Sequence, residues 1–246
     1  MRIDAYLFAA GIAKSRTAAQ TMIAEGRVLF DAKPIKKPSF LLPDEDMDPS
    51  RITVKDGGCP YVSRGGFKLE AALRAFDIDP CGVIALDIGA STGGFTDCLL
   101  QHGAIAVYAV DSGRDQLDEH IRRDPRVISF ESYNARYMKP GDFEDTPTLA
   151  VMDVSFISQT LLYPAIASVL PIGADLVSLV KPQFEVGKRG IGSGGIVRNE
   201  KLRTEALNHV KVIAAQHGLM PIASIDSPIT GGDGNHEFLV HFRRTE

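Results

Sequence analysis

The chain has 246 residues, 44% of them hydrophobic and 24% charged, with a formal net charge of −4. That composition belongs to a soluble globular protein able to bury a sizeable core, and it excludes both a disordered chain and a polycation. Three cysteines without a CxxC pair and six histidines without ligand spacing argue against a disulfide framework and a structural metal, so reduced thiols and a cytoplasmic setting are expected.

Residues 1–60 have a grammar of their own. Asp4 is placed to cap a helix over 5–10, and Ser15 to cap a second over 16–25, which Gly26 would end. Short extended stretches follow at VLF (28–30), beyond the turn DAK, and at ITV (52–54), so a small α+β module is predicted. PDEDMDPS (43–50) reads as a solvated loop and DGGCP (56–60) as a linker. Residues 1–42 carry a net charge of +4 and the remainder −8, which makes this end the one suited to a polyanion. No apolar run precedes Asp4, so a signal peptide is not expected.

From Tyr61 the pattern changes. Leu69, Ala72, Leu73 and Phe76 share one helical face. Strand signals then come at VIALDI, IAVYAVD, VISFE, TLAVMD, LVSLVK and EFLVHF, with helices at FTDCLLQ, DQLDEHIRR, near 159–169 and over 200–217. Several of these strands are apolar throughout, as in a parallel sheet covered on both faces. The prediction for 61–246 is an open, doubly wound, Rossmann-like α/β sheet that binds its ligand at the C-terminal strand ends. Val154–Ala174 is uncharged for 21 residues, nominally enough to span a bilayer, but Gln159, Pro164 and Pro171 favour a loop and a buried helix.

The first strand runs into DIGASTGGFTD (87–97), a loop type that holds nucleotides. It is neither GxGxxG nor GxxxxGK[ST], because Phe95-Thr96 stands where lysine and hydroxyl should be. Asp87 would repel a pyrophosphate and suit a cationic ammonium. Asp111, which ends the second strand, can accept from ribose hydroxyls. A ligand with ribose, an ammonium group and no phosphate is S-adenosylmethionine. Two further charges, Asp153 and Lys181, end apolar strands on the same side of the sheet, where neither is tolerated cheaply without a partner or a task. Lys68 lies in SRGGFKL, and Glu237 opens the last strand in GNHEFL.

The order Lys68–Asp153–Lys181–Glu237 resembles the catalytic tetrad of FtsJ-type ribose 2′-O-methyltransferases. The strings YVSRGGFKL, DIGASTGGFTDCLL, AVDSGRDQLD, DVSFIS, VKPQFEVG, GGIVR and SPITGGDGNHEFL are similar, in order and spacing, to the TlyA family of haemolysin-like ribosomal RNA methyltransferases. RIDAYLFAAGIAKSRTAAQTMIAEGRV followed by KKPS resembles a small ribosomal-protein-type RNA-binding domain. Asp115 departs from the family, where a glycine or small residue is more usual.

The resemblance implies two domains. Residues 1–60 would bind RNA, and 61–246 would form a methyltransferase sheet, mostly parallel with an antiparallel C-terminal strand. It implies catalytic roles for Lys68, Asp153, Lys181 and Glu237, and cofactor contacts from Asp87, Gly89, Ser91, Thr92, Gly93, Gly94, Phe95, Asp111 and Asn134. The cofactor would be S-adenosylmethionine, and the partner ribosomal RNA or ribosomal subunits, with cytidine as target and no membrane. Arg2, Arg16, Lys37 and Arg64 are candidates for RNA contacts, and the glycine-rich KRGIGSGGIVR (188–198) for a loop folding over the RNA. Lys181 would stand beside the 2′-oxygen, as base or as the cation that stabilises a developing alkoxide. Asp153 and Glu237 would orient the lysines, and Lys68 would steady the nucleotide or complete the tetrad. The competing expectations are a small-molecule methyltransferase, a pore-forming haemolysin, and an RNA-binding protein without methyl transfer; the missing GxGxxG disfavours a dehydrogenase.

Overall fold

A computed structural model describes residues 1–13, 15–24, 26–43, 51–54, 60–187, 190–231 and 234–245. The expected acidic loop beyond residue 43, the linker up to residue 59 and the basic pair 188–189 lie outside the described residues. Two compact units divide the chain, Met1–Pro60 and Tyr61–Glu246.

The first unit packs α1 (Ile3–Ala9) and α2 (Arg16–Ala24) against a small antiparallel sheet. Its strands are β1 (Val28–Phe30), β2 (Lys33–Pro34) and β3 (Ile52–Val54), in the order β2-β1-β3. Ile3, Leu7, Ala19, Ile23 and Val28 form its core, each fully buried. Ser15 caps α2 as expected, its Oγ accepting from Ala18 N–H at 3.1 Å, and Gly26 follows with φ +68°. Asp4 does not cap α1. Helix α1 begins at Ile3, and Asp4 sits inside its first turn, buried under Arg2, Arg16 and Gln20. Three side-chain donors converging on one carboxylate outweigh a cap that needs only one.

The second unit holds a seven-stranded sheet in the order β6-β5-β4-β7-β8-β10-β9. Helix α3 (Gly65–Phe76) precedes β4 (Ile84–Ile88), α4 (Gly94–Gln101), β5 (Ala106–Val110), α5 (Glu119–Arg122) and β6 (Val127–Phe130). Then come β7 (Leu149–Met152), α6 (Tyr163–Val169), β8 (Asp175–Val180), α7 (Pro182–Glu185), α8 (Glu200–Gln216), β9 (Leu219–Asp226) and β10 (Phe238–Arg244). Strands β6, β5, β4, β7 and β8 pair in parallel, while β10 runs antiparallel to both β8 and β9. This is the mostly parallel sheet with an antiparallel C-terminal strand that the sequence led us to expect.

Three details differ. The helix expected over DQLDEHIRR shrinks to four residues, because Asp115 takes a left-handed conformation (φ +54°) and Asp118 caps the chain only at His120. Strand β9 was not anticipated. It is an edge strand containing Pro221, exposed along most of its length, so it shows neither the apolar run of an inner strand nor clean alternation. Glu237 stands one residue before β10 rather than inside it. The uncharged stretch from Val154 resolves into a loop, a 3₁₀ turn (Gln159–Leu161) and buried α6. Among the described residues, no helix is long and apolar enough to cross a membrane.

Candidate active site

Strand order reverses beside β4, and the carboxyl ends of β4, β5 and β7 open into a cleft of about 330 Å³. Such a crevice is where doubly wound sheets bind ligands. Gly89 forms its floor in a left-handed conformation (φ +84°), and a Cβ there would lie 2.5 Å from the Asp153 carbonyl oxygen. Only glycine lets the two strand ends approach this closely. Asp111 faces the cleft with its carboxylate oriented by two backbone donors, Ser91 N–H at 2.8 Å and Gly113 N–H at 2.7 Å. Asn134 lines the opposite side, where its Oδ1 caps a short turn by accepting from Arg136 N–H.

Asp87 lies deeper. It is fully buried, and its Oδ2 accepts from Thr96 Oγ1 at 2.6 Å, while Oδ1 has no hydrogen-bond partner among the described residues. Burial pushes its carboxyl up to about 7; the Thr96 hydroxyl pulls the other way, and the charges of Asp153 and Asp111 add to the rise.

Among the expected cofactor contacts, Gly89, Ser91, Asp111 and Asn134 line the cleft together with Asp153. Thr92, Gly93, Gly94 and Phe95 do not. Gly93 caps α4 with φ +93°, where a Cβ would meet Leu117 and Ile121, and a Cβ on Gly94 would fall 2.0 Å from Ser63 Oγ and 3.2 Å from Gly66 N, so Gly94 seats α4 against the start of α3. Phe95 is buried beside Gly65 in the same contact, and Thr92 accepts from Asp118 N–H. Ser155, Phe156, Tyr133 and Gln116 line the cleft without having been singled out. Ser155 and Phe156 lie two and three residues after Asp153, and Tyr133 precedes Asn134, so nearness to a residue already singled out was the available signal.

The four candidate catalytic residues form two ion pairs. Lys68 Nζ lies 2.5 Å from Glu237 Oε2, both side chains nearly inaccessible. Lys181 Nζ lies 2.5 Å from Asp153 Oδ1 and donates to Ser155 Oγ at 2.8 Å. The β8–β10 register matches Val180 with Phe238, so Lys181 and Glu237, one step beyond, end adjacent strands opposite each other. Gly231 closes over this end: a Cβ there would meet Glu237 Oε1 at 2.5 Å. Each lysine is matched by a carboxylate, and removing either member of a buried pair strands the other.

The basic candidates divide. In the first unit, buried Asp4 draws Arg2 and Arg16 together, Arg2 Nη2 at 2.9 Å and Arg16 Nη2 at 3.3 Å. Those hydrogen bonds, Arg2's above all, hold the Asp4 carboxyl far below the usual carboxylate range. Lys37 is exposed. In the second unit, Arg64 donates to the Thr230 carbonyl at 2.9 Å, on the loop that leads to Gly231. Of the glycine-rich segment, Gly195 and Val197 are tied to the buried Asn235 side chain, so that part is fastened to the loop ahead of Glu237.

Residues 61–244 match the FtsJ-like methyltransferase family, and residues 1–48 match the S4 domain. The chain is 41% identical over 242 residues to the 16S/23S rRNA (cytidine-2'-O)-methyltransferase TlyA of Mycobacterium tuberculosis, covering 98% of this chain and 89% of the relative. It is also 41% identical to Hemolysin A of Brachyspira hyodysenteriae, over 98% of this chain and 99% of that one. A solved protein from Streptococcus thermophilus superposes with a TM-score of 0.79 at 42% identity, covering 100% of this chain and 89% of its own.

Proposed function

Because the chain belongs to the FtsJ-like methyltransferases of the TlyA type, with an S4 domain ahead of the catalytic one, we propose that it methylates a cytidine ribose 2′-hydroxyl of ribosomal RNA using S-adenosylmethionine. The observation that carries this reading is the double ion pair, Lys68–Glu237 and Lys181–Asp153, set at the strand ends beside the cleft. The residues present fit the cofactor. Asp87 offers a buried oxygen in need of a donor, Asp111 presents to the cleft a carboxylate that would accept from ribose hydroxyls, and Gly89 leaves room where a side chain would fill it. No Lys or Arg lines the cleft among the described residues, which suits a cationic ligand better than a phosphorylated one.

Bound there, S-adenosylmethionine supplies an electrophilic methyl group on a sulfonium. A ribose hydroxyl is a poor nucleophile at neutral pH, so the work left to the chain is alignment and removal of one proton. Lys181 acts at the 2′-oxygen. Asp153, 2.5 Å away, and the Ser155 hydroxyl hold its Nζ in place. Lys68 is shielded by Glu237 and steadies the nucleotide rather than exchanging protons. The S4 unit, with Arg2 and Arg16 gathered on Asp4, provides phosphate contacts, and the soluble enzyme works in the cytoplasm on assembled or assembling subunits.

The test is methyl incorporation from tritiated S-adenosylmethionine into purified ribosomal subunits, followed by mapping of 2′-O-methylcytidine. A relative in Campylobacter jejuni, 32% identical over 244 residues, is named a 23S rRNA (cytidine-2'-O)-methyltransferase, as 23S is also in the Mycobacterium tuberculosis name. Incorporation into 23S RNA of the large subunit is therefore expected. Incorporation into small metabolites but into neither subunit would overturn the proposal.

A further inference from the structure

The loop after β7 carries Asp153, Ser155 and Phe156, and the turn after β8 carries Lys181. What holds these two neighbours in register is a carboxylate outside the tetrad. Glu185, the last residue of α7, accepts from Ser158 Oγ at 2.6 Å with one oxygen and from Gln159 N–H at 3.0 Å with the other. Gln159 is itself buried, its side-chain oxygen accepting from Tyr163 O–H at 3.0 Å and from the Ser178 hydroxyl of β8. The β7 loop is thus fastened to β8 and α7 at its far end by Glu185 and Gln159, and at its near end by the Lys181 bonds to Asp153 and Ser155.

Between these fixed points the backbone is strained. Phe156 has φ +65°, a left-handed conformation that an aromatic residue adopts only at a cost, and it is 92% exposed. Burial therefore does not hold it there; beyond its ring contact with Phe184 of α7, centroids 5.3 Å apart, its conformation depends on the anchors at either side. Both oxygens of Glu185 are committed to loop donors, so its role is mechanical.

We propose that Glu185 is a positioning residue for methyl transfer: it clamps the Asp153 loop onto the helix that follows Lys181 and so sets the Asp153–Lys181 pair. The inference rests on the assignment of that pair to catalysis. Without the clamp, Ser158 Oγ and Gln159 N–H lose their acceptor, Phe156 relaxes, and Asp153 drifts from the lysine.

The experiment compares full-length Glu185→Ala, Glu185→Gln and wild type in methyl transfer to purified ribosomal subunits, with hydrogen exchange read at residues 154–160. Glu185→Ala is expected to lower kcat on the order of 10- to 100-fold, as a small misplacement of reacting groups does, with S-adenosylmethionine affinity unchanged and exchange in the loop accelerated. Glu185→Gln is expected to recover most of the rate, because its amide oxygen still serves Gln159 N–H and its NH₂ can donate to the Ser158 hydroxyl. A Glu185→Ala enzyme with loosened loop but wild-type kcat overturns the inference, as does a loss of rate that only tracks a loss of folded protein or that Glu185→Gln fails to recover. An inactive wild type, by contrast, with the loop equally protected, would overturn the functional reading and the inference with it.

Discussion

The Lys181 ammonium is held by Asp153 and Ser155, two residues that line the cleft, whereas the Lys68 ammonium is sealed against Glu237. Lys181→Ala is therefore expected to lower methyl transfer by at least about 100-fold while leaving S-adenosylmethionine binding nearly intact, as calorimetry would show. Equal loss of both in a folded variant would remove Lys181 from the chemistry. Asp87 makes a pH prediction. Its carboxyl titrates at about 7 in the folded chain against an ordinary 3.8, so folding favours the protonated form. Its contribution to stability is full below pH 3.8, declines as pH rises between the two values, and is constant above about 7. In cofactor-free protein, Asp87→Asn should gain on wild type across that window, by up to about 4 kcal/mol, read as the difference in Tm at each pH. A cationic ligand beside Asp87 requires the ionised carboxylate, so cofactor affinity is expected to strengthen from pH 6 to 8 in wild type and to stay flat in Asp87→Asn.

At the scale of elements, the contact between α3 and α4 decides where Lys68 stands. Glycines permit the seating: a Cβ on Gly66 would fall 2.1 Å from Cγ of Tyr61 in the segment ahead of α3, and one on Gly94 would fall 2.0 Å from Ser63 Oγ and 3.2 Å from Gly66 N. Gly66→Ala must therefore push α3 off the buried Tyr61 ring, at a cost of about 1–3 kcal/mol. Urea unfolding would measure it, and an unchanged midpoint would show that the tyrosine yields freely. The glycines of GASTGG were legible as a close approach, but what approaches them was not. In Gly89 the neighbour is the Asp153 backbone, while in Gly94 it is the preceding helix. Strand β9 was illegible for a related reason: an exposed edge strand with Pro221 carries no periodicity, and only its pairing to β10 makes it a strand.

For the molecule as a whole, charge is spread unevenly along the chain. A chain of net charge −4 binds RNA through local basic groups, +4 in residues 1–42 against −8 in the remainder. Affinity for ribosomal RNA is accordingly expected to fall steeply with salt, and Lys37→Ala to reduce the slope by about one and to weaken binding without changing cofactor affinity. Filter binding across a salt series checks both, and a Lys37→Ala slope equal to wild type would remove that residue from the phosphate contacts. The alternation of apolar runs with helical faces was enough to establish the doubly wound sheet, because burial on both faces imposes its period on the sequence. Likewise, Asp87 and Asp111 beside a glycine loop without a phosphate signature pointed to a cationic ligand with ribose, because a carboxylate there would repel a pyrophosphate and suit an ammonium. Partnership was decided only by tertiary structure. Lys68 and Glu237 are 169 positions apart in sequence and 2.5 Å apart in space, Asp4 serves as a hub rather than a cap, and Glu185 reaches the β7 loop. Such pairings depend on the register of β10 and the seating of α3, and spacing along the chain encodes neither.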